Sequence, residues 1–260
     1  MGTRLAGKTA LVTGATSNIG RAIAIALAAE GAHVVVSGRS HQRGGEVVDE
    51  IGAAGGRADF VAANLDGSAS ASNGLAAEAT RLLGGRIDVL VNNAGIFPGP
   101  TTAATDEATF DEVYAVNVKA PFFLTAAIAP TMAERGSGAI INLGSWIARL
   151  GIPIGSLYSS TKGAMETLTR AWAAEFGPAG VRVNAISPGV ILTPTFDESD
   201  GAAPHPADVM MRGTPAGKSG TPDAVAHAAV YLASDEAEFV QGTVIDVDGG
   251  RVGVAVLVAP

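Results

Sequence analysis

A phenol and an ammonium stand four residues apart in Tyr158-Ser159-Ser160-Thr161-Lys162. On a helix that spacing puts both on one face. A phenol beside a cation is equipped to give or take a proton at a carbon-bound oxygen. Ser145, thirteen residues upstream, follows the apolar run Ala139-Ile140-Ile141-Asn142-Leu143 and adds a hydroxyl. Much earlier, Thr13-Gly14-Ala15-Thr16-Ser17-Asn18-Ile19-Gly20 forms a turn behind another apolar run. Together these parts suit the movement of a hydride to or from a carbonyl. Singly, each has a plainer reading: an interfacial tyrosine, a serine N-cap, or a strand–helix turn that needs glycine for geometry alone.

The elements that must position these groups alternate. Apolar runs predict strands at 9–13, 33–37, 58–62, 89–92, 139–143, 182–186 and 243–247. Amphipathic stretches predict helices at 19–29, 43–53, 69–83, 109–135 (broken near Asn117 and Pro121), 156–176 and 222–233. This alternation predicts an α/β fold, a doubly wound parallel sheet of the Rossmann kind with about seven strands and helices on both faces. No linker divides the chain, so residues 1–260 are expected to form a single dinucleotide-binding domain. In such a sheet the ligand crevice lies beyond the carboxyl ends of the strands, where the winding reverses. Gly14–Gly20, Asn92–Gly95, Ser145 and Pro188-Gly189 all fall just after predicted strands.

Bulk properties narrow the function. A net charge of −8 lacks the cationic field that attracts nucleic acid or anionic lipid. Without cysteine there are no disulfides, thiolate metal sites or thiol nucleophiles. His33, His41, His205 and His227 are scattered without ligand spacing, so no metal site is expected. The amino terminus lacks a signal-peptide pattern, and no apolar run reaches membrane-spanning length. A cytoplasmic protein with neither membrane nor nucleic-acid partners is the expectation.

In the first turn Gly14 and Gly20 allow a tight bend and close approach of a pyrophosphate. The helix that follows offers unpaired N–H groups. Position 18 is Asn, the side chain that best tolerates left-handed backbone after glycine. The second strand ends Ser37-Gly38-Arg39-Ser40, with no acid to accept from a ribose 2′-hydroxyl and a guanidinium suited to a 2′-phosphate. NADP(H) is therefore favoured and NAD(H) remains open. A solvated loop arginine is the plain alternative for Arg39.

Thr13–Gly20, Asn92-Asn93-Ala94-Gly95, Asn117, Ser145, Tyr158, Lys162 and Pro188-Gly189, in this order, resemble the short-chain dehydrogenase/reductase family in its shorter single-domain branch, similar to 3-oxoacyl-acyl-carrier-protein reductases. The resemblance runs from Leu5 to about Gly250 and includes Asp246-Val247-Asp248-Gly249-Gly250. The Tyr-x-x-x-Lys spacing separates the chain from the enoyl-reductase branch.

The resemblance implies that Tyr158 is the acid in ketone reduction and the base in alcohol oxidation. A free phenol titrates near pH ~10, and Lys162 with an oxidised nicotinamide would lower that value. It implies that Lys162 also binds the nicotinamide ribose, that Ser145 donates to the substrate oxygen, and that Asn117 holds a water in a proton relay. The cofactor set it implies comprises Gly14, Ser17, Asn18, Ile19, Gly20 and Arg39; Asn64, where many relatives place an adenine-contacting Asp, and Leu65; and Asn92, Ala94 and Gly95 along the adenosine and ribose path. Tyr158 and Lys162 belong to it too, and Pro188, Gly189, Ile191 and Thr193 hold the carboxamide.

Ile96, Phe97, Trp146, Ile147, Leu150 and Val190 suggest an apolar pocket for a small carbonyl or alcohol substrate. Thr193–Thr214 reads as a loop-like lid whose acidic tip, Asp197–Asp200, is a solvated face. Relatives acting on acyl carrier protein usually carry an Arg where this chain has Ala174, so an acidic carrier is weakened as a partner. An NAD-dependent alcohol dehydrogenase is an alternative reading, and a non-catalytic dinucleotide-binding regulator is a third. The resemblance further implies that 109–135 and 156–176 pair across a two-fold axis in a homotetramer, or a homodimer. The apolar tail from Val252 to Ala259 is expected at a subunit contact.

Overall fold

The computed structural model describes residues 2–153, 155–192 and 206–254. Its strands are β1 (Thr9–Val12), β2 (His33–Gly38), β3 (Arg57–Ala62), β4 (Val89–Asn92), β5 (Gly138–Leu143), β6 (Val181–Pro188) and β7 (Val244–Val247). Between them run α1 (Asn18–Ala29), α2 (His41–Ala53), α3 (Ala69–Leu82), α4 (Glu107–Tyr114), α5 (Ala120–Glu134), α6 (Ser156–Phe176), α7 (Pro206–Met211) and α8 (Pro222–Ala233). The seven strands are parallel in the order β3-β2-β1-β4-β5-β6-β7. The order reverses between β1 and β4, which opens the crevice beyond their carboxyl ends.

The strands read as unbroken apolar runs because both faces are covered. Along β1, Ala10 and Val12 point into a core shared with α1, α2 and α8, whereas Leu11 points into a second core under α3, α5 and α6. A third, smaller cluster gathers Trp146, Ile147, Val190, Ala207 and Met211 at the carboxyl rim. On the opposite rim the chain turns tightly at positive-φ glycines, Gly31 (φ 95°) after α1 and Gly180 (φ 81°) after α6.

Two expectations need correction. The helix expected to break near Asn117 and Pro121 does not break. A π-turn, Ala115–Lys119, joins α4 to α5 as one helix from Glu107 to Glu134. A π-turn leaves one carbonyl without its usual partner, so Pro121, which has no N–H to give, fits just after it. By length and composition alone this continuous helix is apolar enough to cross a bilayer, contrary to the expectation from sequence; here Leu124, Ile128 and Met132 bury their side chains in the second core. Second, the stretch expected to be a loop-like lid contains α7. Pro206 suits the first turn, and Ala207 and Met211, one turn apart, pack on Trp146.

Candidate active site

The first turn is held by close backbone contact. Gly14 has φ +62°, and a Cβ there would lie 2.8 Å from the Ala94 Cα; a Cβ on Gly20 would overlap the Gly14 carbonyl and the Asn93 amide. Asn18 adopts φ 48°, the left-handed backbone its residue type tolerates. Ser17 caps α1 with extended backbone but makes no side-chain cap, and the first turn holds no acid. The helix amino end thus offers donors and positive potential without an internal anion.

Asn93, not singled out from the sequence, is the brace of this turn. Its Nδ2 donates to the Thr13 and Gly14 carbonyls at 2.8 and 3.0 Å. The Asn93 and Ala94 N–H groups donate to Thr13 Oγ1 at 3.1 and 3.0 Å. The doubled asparagine after β4 was the available signal. Asn92 itself is a correction: as the last residue of β4 it faces the other way, is buried, and donates through Nδ2 to Asn142 Oδ1 at 2.9 Å. Its side chain braces β4 against β5 rather than lining the cleft.

At the β2 end a side chain at position 38 would collide with Thr16, 2.6 Å from its Cγ2, which excludes an acid there without rearrangement. Arg39 and Arg43 are exposed at the cleft, and among the described residues neither guanidinium has a hydrogen-bond or ion-pair partner. Arg43 is a second cation missed in the sequence. It follows Arg39 by four residues and lies in the first turn of α2, which begins at His41 and is capped by Ser40, whose Oγ accepts from the Arg43 N–H at 3.4 Å. Ala63, Asn64 and Leu65 line this end.

At the other end Ser145, Tyr158 and Lys162 meet. Ser145 precedes the short turn Trp146–Ala148 without capping it, and its hydroxyl lies near enough to Tyr158 to ease ionisation of the phenol. Lys162 is buried one turn along α6, with Nζ 5.5 Å from the Tyr158 ring centroid, and donates to the Leu143 carbonyl at 2.8 Å. Burial pushes the Tyr158 phenol up to about 12, only partly opposed by the Ser145 hydrogen bond, and pushes the Lys162 ammonium down to about 8. The expected lowering of Tyr158 is therefore not produced by the chain itself: Lys162 points at Leu143, and desolvation dominates.

Asn117 sits on the π-turn, buried, in a two-way clasp with Ile96. Its Oδ1 accepts from the Ile96 N–H at 2.8 Å, and its Nδ2 donates to the Ile96 carbonyl at 3.0 Å. Gly95 leaves the gap that Asn117 and Lys162 flank; a Cβ there would stand 3.3 Å from Asn117 Oδ1 and 3.7 Å from Lys162 Nζ.

One cleft of about 1040 Å³ joins the two ends. Gly14, Ser17, Asn18, Ile19, Gly20, Ala94, Gly95, Pro188, Gly189 and Ile191 all line it, as do Ser145, Tyr158 and Lys162. Thr193 lies outside the described residues, as do most of the expected lid and the tail beyond Val254. The positive-φ turn, the donors of α1, the unpaired arginines and the gap at Gly95 suit a dinucleotide laid from β2 to α6.

A family model described as Enoyl-(Acyl carrier protein) reductase matches residues 14–251. The 2,5-dichloro-2,5-cyclohexadiene-1,4-diol dehydrogenase LinX of Sphingobium indicum is 40% identical over 259 residues, covering 98% of this chain and 100% of that one. Among solved structures, a short chain dehydrogenase/reductase family protein superposes with a TM-score of 0.86 at 44% identity, over 96% of this chain and 100% of that one. A 3-oxoacyl (acyl-carrier-protein) reductase from Agrobacterium tumefaciens C58 with NADP bound superposes with a TM-score of 0.89 at 31% identity, over 95% of both chains. Matched from its phosphate turn to its last strand, this oxidoreductase belongs to the short-chain dehydrogenase/reductase family.

Proposed function

We propose that the protein interconverts a ketone and a secondary alcohol with NADP(H), with Tyr158 as the proton-transferring group. The observation that carries this reading is Tyr158, with the Ser145 hydroxyl near enough to ease its ionisation, beside the buried Lys162, at one end of a cleft whose other end presents two arginines that are unpaired among the described residues. When bound, the nicotinamide supplies or accepts the hydride. In reduction, Tyr158 releases its proton to the carbonyl oxygen as hydride reaches the carbon, and Ser145 donates a hydrogen bond to that oxygen while charge develops. A phenol held up to about 12 keeps its proton at neutral pH, the form the acid role needs. Lys162 keeps a positive charge near the phenol, and Asn117 fixes the Ile96 backbone at the rim.

Arg39, with Arg43, takes the 2′-phosphate. NADPH and NADH titrations followed by fluorescence test this choice. NADPH is expected to bind more tightly, and Arg39→Ala to weaken it about tenfold or more while leaving NADH unchanged. Equal affinity for the two cofactors in the unaltered protein overturns the assignment. The reaction is tested by following cofactor absorbance over a panel of ketones and alcohols; silence across the panel rejects it. Assembly as a homotetramer, or a homodimer, belongs to the same reading, with half-exposed Phe110 on α4 and Phe122 on α5 as contact candidates.

A further inference from the structure

We propose that the substrate is an uncharged ring compound, an alicyclic or aryl ketone or its alcohol, and that Arg251 positions the wall against which the ring lies. This rests on the hydride-transfer reading above and names the substrate class of that same site.

Two aromatic side chains flank the reacting hydroxyls. Phe97 meets the Tyr158 ring edge-on, with centroids 4.7 Å apart, yet is 51% exposed, so much of its surface remains open beside the cleft it lines. Trp146 directly follows Ser145 and packs with Ile147, Val190 and Met211. Among the described residues, and apart from Lys162, the charged side chains lining the cleft come from the β2 and β3 ends and from α4, and none comes from the segments around Ser145, Tyr158 or Pro188. A carboxylate or phosphate on the substrate would therefore be desolvated there with no described cation beyond Lys162, whereas a ring gains two aromatic neighbours.

Arg251 lies on the far side of this wall. Its guanidinium lies over the Trp146 ring, 4.1 Å from the centroid, its Nη1 donates to the Met210 carbonyl in α7, and its buried Nε has no partner among the described residues. A buried N–H left unpaired is costly, so what holds the group in place is its planar stack and its tie to α7. Arg251 thereby fixes the indole plane against the one described helix of the expected lid. It is a positioning residue, and lysine lacks the flat surface to replace it.

The chain has two tryptophans, so Trp172→Phe leaves Trp146 as the sole indole reporter. In that background the protein with oxidised NADP, which cannot react with a ketone, is titrated with cyclohexanone, acetophenone, 5-ketogluconate and tagatose while indole fluorescence is followed. Reduction of the same four by NADPH is measured alongside. The expected result is quenching by the two ring ketones and a kcat/KM for them about 100-fold above the sugar compounds. Arg251→Met and Arg251→Lys are each expected to raise KM for the ring ketones about tenfold, with kcat within about twofold and cofactor Kd unchanged; should the Met variant not fold, the Lys variant carries the test. A preference for 5-ketogluconate or tagatose overturns the substrate class, and an unaltered KM in the folded variants overturns the role of Arg251. Quenching by ring ketones without any turnover rejects the hydride-transfer reading and leaves the ligand class standing.

Discussion

At the scale of single residues, the chemistry rests on two groups whose proton affinities burial moves in opposite directions. Tyr158 is pushed up to about 12 and Lys162 down to about 8. If reduction needs both the phenol and the ammonium, the phenol is available throughout the neutral range and the ammonium is lost above about pH 8. We therefore expect kcat/KM for ketone reduction to be level below that value and to fall above it; a steady-state pH profile that still rises from pH 8 to 9 contradicts the assignment. The stability linkage runs the other way for the lysine. Its folded pKa lies below the unfolded 10.5, so it contributes rising stability as pH increases from about 8 to 10.5. Tyr158→Phe removes the transferable proton and should lower turnover at least ~10²-fold with little change in cofactor affinity; near-normal turnover removes Tyr158 from the mechanism. The joint spacing of Ser145, Tyr158 and Lys162 was legible from residue types alone. Their proton affinities were not, because burial is set by β5 and α6 packing together.

At the scale of elements, periodicity placed the strands closely, and α6 and α8 end to end, because each has a continuous apolar face bounded by Gly, Pro or Ser. The π-turn escaped that reasoning. One surplus residue changes neither composition nor apolar period enough to register, and Pro121 argued for a stop. The short α7 escaped too, since its burial comes from Trp146 and not from any repeat of its own. The resemblance placed Asn92 in the cleft, but side chains alternate across a strand, and its neighbour Asn93 holds the turn. In the phosphate turn, Asn18 already has the backbone that glycine would adopt. Asn18→Gly should therefore keep cofactor binding within about tenfold, ~1.4 kcal/mol or less. Complete loss of binding in a fluorescence titration would give the Asn18 amide a direct contact of its own.

At the scale of the whole molecule, the carboxyl-terminal stretch returns to the site it seemed remote from. The Val252 N–H donates to Asp248 Oδ2 at 2.8 Å, and the Val252 side chain packs on the cluster around Trp146. Removal of residues 252–260 is expected to lower both the melting temperature and the assembled mass, measured by calorimetry and light scattering. No change in either quantity would mean that the tail neither packs nor joins subunits. The parallel sheet has a consequence for how this chain tolerates alteration. With every reacting group gathered on one rim, the sharp corners on the other, such as those at Gly31 and Gly180, guard no chemistry. Provided the corner glycines themselves are kept, since a Cβ on Gly180 would overlap the Gly136 carbonyl oxygen, that side is where peptide tags and grafted segments can be added while catalysis goes on undisturbed.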